Sequence, residues 1–274
     1  MADDEENTQD LDSYAPRAAA AARYLQVAGD QGVVRITLNR PPANVLSVDL
    51  MDELNAALES LQAQREMKLL VLAATGKYFS AGFELGDHLG DRAYLMLESF
   101  KKLFENLTAL DRPVLAVVAG PALGAASVLV AACDMVLAGA SARFGHPEIK
   151  GGVFNPMAAA LLPRLVGRKR AYDMILGGVA VTPAEAERIG LISRAVPDDK
   201  LEAEVKATVQ RFLEGSATIL QLTRRAIAGG LELPLADAVR HAEDVYLNQL
   251  MSTEDAEEGL KAIMEKRKPV WKDR

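Results

Sequence analysis

Leu69-Leu70-Val71-Leu72-Ala73-Ala74 is an unbroken apolar run with no polar alternation, the pattern of a strand covered on both faces. Upstream, Leu50, Leu54, Leu58 and Leu61 recur at spacings of four, four and three, which puts them on one stripe of an amphipathic helix. Before that helix, Val34, Ile36 and Leu38 alternate with Arg35 and Thr37. This predicts a half-buried strand that begins near Gly32 and stops at Asn39-Arg40-Pro41-Pro42. Downstream the order repeats. A helix is expected over 92–109, an apolar strand from Val114 to Val118, a small-residue helix from Gly124 to Ala132, and a strand at Met135-Val136-Leu137. Apolar strands separated by helices predict a layered α/β domain.

Beyond residue 150 the strands become sparse. Thr182-Pro183-Ala184-Glu185 has the form of a capping box with proline in the first turn, and Asp198 or Asp199 is expected to open the next helix. Helices are predicted over 199–213, 217–228, 235–249 and 253–267, with His241 as a surface residue of the third. Their apolar faces need the core or a second subunit to cover them. Residues 1–20, with Asp3, Asp4, Glu5, Glu6, Asp10 and Asp12, are expected to form a disordered acidic tail. The core domain is then expected over 21–198 and a C-terminal helical region over 199–274.

With 274 residues, 50% of them hydrophobic, the chain can bury one sizeable core. The 31 Lys and Arg are outnumbered by 38 Asp and Glu, and no local basic stripe stands out, so a nucleic-acid partner is not expected. Cys133 is the only cysteine, which excludes an intrachain disulfide and any multi-cysteine metal motif and fits a reducing compartment. His88, His146 and His241 are scattered without an HExxH pattern, so no zinc site is expected. The acidic start is the opposite of a basic presequence, and no apolar run approaches membrane-spanning length. The expectation is a soluble cytoplasmic protein with no membrane partner.

Two glycine-containing turns follow apolar strands. One is Phe79-Ser80-Ala81-Gly82-Phe83-Glu84; the other is Ala119-Gly120-Pro121-Ala122-Leu123-Gly124-Ala125-Ala126. Glycine permits tight turns and close backbone approach, and a helix start leaves amide hydrogens unpaired. Two such amides aimed at one carbonyl oxygen make an oxyanion hole, although Gly-Ala segments at helix starts also serve simple close packing. Neither turn matches GxxxxGK[ST], and no early GxGxxG opens a βαβ unit, so nucleotide hydrolysis and nicotinamide chemistry recede. Ser127 and His146 leave a hydrolase formally open, but Ser80 is not in a GxSxG elbow. Phe144-Gly145-His146-Pro147-Glu148-Ile149 offers one carboxylate in an apolar setting without a nearby carboxylate partner. Glu148 is either a proton-transfer group or an ion-pair partner of Lys150 or Arg143.

The pairing of these two turns with Ala132-Cys133-Asp134 and Phe144-Gly145-His146-Pro147-Glu148 resembles the crotonase (enoyl-CoA hydratase/isomerase) superfamily. Support runs from about Gly32 to the carboxyl end, through Gly190-Leu191-Ile192 and Glu265-Lys266-Arg267-Lys268-Pro269. The resemblance implies a spiral of ββα units, a C-terminal helical trimerisation region, assembly as a homotrimer or homohexamer, and an acyl-CoA thioester as ligand. It implies no required cofactor and no metal, CoA being part of the substrate. The amides of Phe83 and Ala125 are implied to hold the thioester oxygen, with Ala81, Gly82, Gly124, Val128, Asn155 and Pro156 around the substrate and Glu148 moving a proton. Arg40 and Lys77 are candidates for the CoA phosphates, with ordinary solvated charges as the alternative.

Two departures from the superfamily pattern bear on chemistry. Hydratases with two catalytic glutamates carry the first where this chain has Val128, and valine cannot activate water. Where they have Pro-Gly beside the catalytic water, this chain has Asn155-Pro156, and proline lacks the amide hydrogen. Asn155 either supplies a side-chain group or caps a helix with Pro156 in its first turn. Asn155-Pro156 with Ala158-Ala159-Ala160-Leu161-Leu162-Pro163, and Ser80 to His88, are similar to the branch that hydrates cyclohexa-1,5-diene-1-carbonyl-CoA. His88, Glu84, Asp87 and Asn155 are then candidates for orienting water, each with a surface or capping role as the alternative. The expected activity is hydration of an unsaturated acyl-CoA, with a single-glutamate double-bond isomerase and a non-catalytic acyl-CoA binding or scaffold protein as alternatives.

Overall fold

The computed structural model describes residues 23–274, so the tail expected over 1–20 lies outside the described residues. The described chain begins with a hairpin of β1 (Leu25–Asp30) and β2 (Val33–Leu38). Gln31 and Gly32 both take positive φ, 46° and 86°, as a two-residue turn matched to strand twist requires. Strand β2 buries Val34, Ile36 and Leu38, as their alternation predicts. Helix α1 (Val48–Leu61) buries the expected leucine stripe, and the Ser47 hydroxyl caps it by accepting from Leu50 N. The apolar run becomes β3 (Leu69–Ala74), and α2 (Arg92–Ala109) and β4 (Val114–Val118) follow where expected. Next come β5 (Ala122–Leu123), the small helix α3 (Ala125–Ala131), β6 (Met135–Gly139) and β7 (Phe144–Gly145).

The main sheet has the order β1-β2-β3-β4-β6 and ends in β8 (Arg194–Val196); every pairing after the hairpin is parallel. Helices connecting parallel strands must lie on the sheet faces, which explains the continuous apolar strands. Leu70, Leu72 and Ala116 pack with Leu54 of α1 and Phe100 of α2. On the other face Leu69, Val71, Leu115 and Leu137 pack against Leu201 and Val205 of α7 (Leu201–Leu213), so the first helix of the C-terminal region covers the sheet. A second, two-stranded sheet pairs β5 with β7 and carries the chemically interesting turns.

Several expectations need correction. Strands β1 and β8 and helix α5 (Arg168–Leu176) were not foreseen, whereas α4 (Pro156–Leu165) realises the capping alternative for Asn155-Pro156. The capping box holds, with Thr182 Oγ1 accepting from Glu185 N at 3.3 Å to start α6 (Pro183–Arg188). Neither Asp198 nor Asp199 caps α7, which begins after a 3-10 turn over Asp198–Lys200. Asp198 instead accepts from the Ser141 hydroxyl and amide at 2.6 and 3.0 Å, and those bonds hold its carboxyl below the usual range. Helix α8 (Ala217–Gly230) runs as expected, but the next helix divides into α9 (Leu235–Asp244) and a π turn over Val245–Gln249. His241 is half-buried with Nε2 3.3 Å from Arg225 O, so it is not a free surface residue. The final helix, α10 (Glu254–Met264), is shorter than predicted.

Asp134 explains part of the Ala132-Cys133-Asp134 motif. Its Oδ2 accepts from Val114 N and from Arg224 Nε, both at 2.8 Å, tying the start of β4 to α8. Burial pushes the neighbouring Cys133 thiol up, which makes it a poor nucleophile. No helix among the described residues is long and apolar enough to cross a membrane.

Candidate active site

The two glycine turns are stitched together by their own backbones. Ser80 N donates to Pro121 O at 3.2 Å, and Leu123 N donates to Ser80 O at 3.0 Å. Gly82 N is taken by Ser80 Oγ at 3.1 Å. Leu46 grips both flanks of Phe83, donating to Gly82 O at 2.8 Å and accepting from Glu84 N at 3.2 Å. In a parallel bridge of this kind the middle residue's own N–H points away from the gripping strand, so the Phe83 amide is turned away from Leu46. In the second turn Gly124 N donates to Gly145 O at 2.8 Å. Ala125 is the first residue of α3, where an N–H has no acceptor within the helix.

Glycine is required at two points because the backbone takes conformations that side chains oppose. Gly82 has φ 99°, and a Cβ there would lie 2.9 Å from Leu123 O and 3.5 Å from Ala125 N. Gly124 has φ 55°, and a Cβ there would lie 3.0 Å from Glu148 Oε2. These close approaches bring Gly82, Ala125 and the Glu148 carboxylate to one place. They line a cavity of about 480 Å³ that also includes Ala81, Phe83 and Asn155. His88 lines it too and packs edge-on against the Phe83 ring, 5.8 Å between centroids. Exposed Leu85, Leu89 and Phe154 make its rim apolar.

Glu148 sits in a 3-10 turn over Pro147–Gly151, with its side chain 18% exposed. Its Oε1 lies 3.1 Å from His146 Nδ1, whereas Oε2 is buried without a hydrogen-bond partner. The ion-pair alternatives are not realised: Arg143 donates to Ala140 O and Ala142 O, and Lys150 is exposed. Asn155 is 2% exposed and performs the capping role, with Oδ1 accepting from Met157 N at 2.9 Å and Ala158 N at 3.2 Å. That fixes the amide's orientation and leaves Nδ2 buried and unpartnered in a residue that lines the cavity. Both expectations for Asn155 are therefore compatible, because cap and free donor use different atoms.

Other expected site residues lie elsewhere. Val128 is wholly buried in the core, and exposed Pro156 opens α4; neither lines the cavity. Arg40 pairs with Glu84 at 3.0 Å and stacks 5.4 Å from the Tyr24 ring, so it braces the first turn. Lys77 is exposed outside the cavity lining. Of the water-orienting candidates, Asp87 accepts from Val48 N at 3.0 Å and Arg92 Nε at 2.7 Å, and Glu84 is held by Arg40. His88 and Asn155 are the two that face the cavity. The hydrolase alternative is not supported, since Ser127 Oγ and His146 Nε2 are both buried without a hydrogen-bond partner and so are not bonded to each other.

A second cavity, of about 490 Å³, lies between the β1–β2 hairpin and α7. None of the buried unpartnered side-chain atoms found among the described residues belongs to its lining, so the chemistry concentrates at the glycine turns. Among the described residues no group of three or more His, Cys, Asp or Glu is placed to hold a metal.

The sequence profile of the enoyl-CoA hydratase/isomerase family matches residues 28–274. The chain belongs to the enoyl-CoA hydratase/isomerase family. It is 38% identical over 242 residues to a Rhizobium meliloti (strain 1021) protein named "Probable enoyl-CoA hydratase", covering 87% of this chain and 94% of that one. It is 34% identical over 246 residues to the cyclohexa-1,5-dienecarbonyl-CoA hydratase of Thauera aromatica, covering 89% and 95%. The crystal structure of a Mycobacterium smegmatis enoyl-CoA hydratase superposes with a TM-score of 0.84 at 32% identity, covering 91% of this chain and 99% of that one. The α/β crotonase-like fold with repeating strand-helix units and a C-terminal helical region is thus this chain's fold. As a member of this enoyl-CoA hydratase/isomerase family, the chain is an enzyme acting on acyl-CoA substrates rather than a scaffold.

Proposed function

We propose that the enzyme is a hydratase-like lyase that adds water to an unsaturated acyl-CoA thioester, with a cyclic dienoyl-CoA as the substrate class that the Thauera aromatica likeness favours. The carrying observation is the meeting of Gly82, Ala125 and the unpartnered Glu148 Oε2 in one apolar-rimmed cavity. The thioester oxygen accepts from the Phe83 and Ala125 amides, which stabilise the charge that grows there when water attacks the conjugated carbon. Glu148 takes a proton from that water and returns it to carbon, and the Asn155 Nδ2 donor orients the water's oxygen. No cofactor is needed beyond the CoA carried by the substrate.

Ala81, Gly82 and Gly124 form the floor under the thioester. Lys77, exposed ahead of the first turn, is the proposed contact for a CoA phosphate, with Arg40 serving the turn. Exposed Ile227, Leu231, Leu235, Val239 and Leu247 support assembly as a homotrimer or homohexamer, and the single Cys133 is the support for placing it in the reducing cytoplasm.

A specific observation favours a second reading. Glu148 is the only carboxylate lining the cavity among the described residues, and one base suffices to move a proton between carbons in a double-bond isomerase. Turnover of cyclic-dienoyl, 2-enoyl and 3-enoyl thioesters in isotopically labelled water separates the two. The hydratase puts solvent oxygen into product, whereas the isomerase exchanges only hydrogen and shifts the double bond. Wild-type turnover by Glu148→Gln would remove both.

A further inference from the structure

We propose that His146 is a positioning residue that selects which oxygen of Glu148 handles the proton. This rests on Glu148 being the proton-transfer group. His146 is 1% exposed, and its Nδ1 lies 3.1 Å from Glu148 Oε1. Its Nε2 is buried with no hydrogen-bond partner. A carboxylate oxygen accepts, so the tautomer with hydrogen on Nδ1 makes this bond and leaves no N–H to satisfy at the buried Nε2. Nδ1 then donates to Oε1 and occupies that oxygen. Oε2, the atom that a Cβ on Gly124 would approach to 3.0 Å, is left without a hydrogen-bond partner on the side of the cavity-lining Gly124.

The backbone around His146 is held firmly enough for this role. Phe144 N donates to Val181 O at 3.2 Å and Val181 N returns to Phe144 O at 2.7 Å. Gly145 is pressed so close to Ala180 that a Cβ on it would lie 2.7 Å from Ala180 Cα. Pro147 follows and fixes the entry to the turn carrying Glu148. A carboxylate otherwise free to rotate about its terminal bond is thus fixed by one donor two residues away. Misplacing a reacting group by about 1 Å costs on the order of a hundred-fold in rate, so this bond affects turnover rather than binding.

The test compares substitutions that separate hydrogen bonding from space filling. An asparagine amide can stand near Nδ1, a glutamine amide near Nε2, and leucine fills volume without donating. His146→Leu and His146→Gln should each lower kcat about 10- to 100-fold with KM changed less than about 3-fold, while His146→Asn recovers to within about 5-fold of wild type. The opposite order, with leucine or glutamine as active as wild type or asparagine the poorest, assigns His146 to packing and overturns the proposal. Should His146→Leu fail to fold, the glutamine and asparagine pair carries the same comparison. In a Glu148→Gln background, His146→Leu should cause no further loss, since a residue acting through Glu148 has nothing left to position. A full additional loss in that background also overturns it. Wild-type turnover by Glu148→Gln alone defeats the proposed function instead, whatever the His146 variants do.

Discussion

On the wall of the cavity formed by the two glycine turns, the groups proposed to meet a ligand are main-chain N–H groups of Phe83 and Ala125. On the wall formed by the segments at Glu148 and Asn155, the proposed groups are side-chain atoms, the unpartnered Oε2 and Nδ2. The first wall is fixed by backbone pairing through Ser80, Leu46 and Gly145, so the identity of the side chain at a donor position is largely free. The second depends on particular side chains, each with one polar atom occupied and the other open. Its tolerance to substitution should therefore be the reverse. On the first wall the glycines are constrained and the donors are not; on the second the polar residues are.

The largest expected effect is on the side-chain wall. Glu148→Gln keeps the shape but removes the proton acceptor, and kcat should fall about a thousand-fold, measured by steady-state turnover of the preferred thioester. Next comes the constrained glycine. Gly124→Ala meets both the positive φ of 55° and Glu148 Oε2 at 3.0 Å, so kcat should fall about a hundred-fold. Phe83→Ala should be much milder in kcat, less than about ten-fold, because the donor is backbone; the visible change is in KM and acyl preference across the thioester panel. A loss in Phe83→Ala as large as that in Gly124→Ala would erase the distinction between the walls.

The smallest effect lies far from both. The Arg267 guanidinium, and then the Val270 amide, hold the Glu258 carboxyl down at about 2 from an ordinary 4.5. A lowered folded value means that the contribution is present above pH 4.5 and lost as pH falls through about 2. Glu258→Gln should flatten the dependence of melting temperature on pH across that window without changing turnover at neutral pH.

Much of the fold was legible because its elements bury on two faces or on one clean stripe. The Leu69–Ala74 run and the leucines of α1 are of this kind. β1 was missed because it is an edge strand whose ladder is completed by a hairpin partner, and β8 because it has only three residues. The length of α4 was hidden by Pro163, which lies inside the helix where a helix would ordinarily stop. Asp198 looked like a helix opener because aspartate favours caps, but tertiary contact with Ser141 claimed its carboxylate.

The site divides in the same way. That Gly82, Gly124 and Glu148 come together at one cavity could be read from the motif. That Arg40 braces Glu84, and that Val128 sits outside the cavity, depend on packing that no local pattern encodes. The His146 contact with Glu148 had one available signal: a histidine two positions before the acid, in a segment apolar enough to bury it.

The central claim is most directly tested by a crystal structure of the Glu148→Gln variant with an unsaturated acyl-CoA bound. The thioester oxygen should lie about 2.7–3.1 Å from both Phe83 N and Ala125 N, with the double bond facing position 148. A thioester oxygen bound elsewhere, or a double bond turned away from position 148, would contradict it.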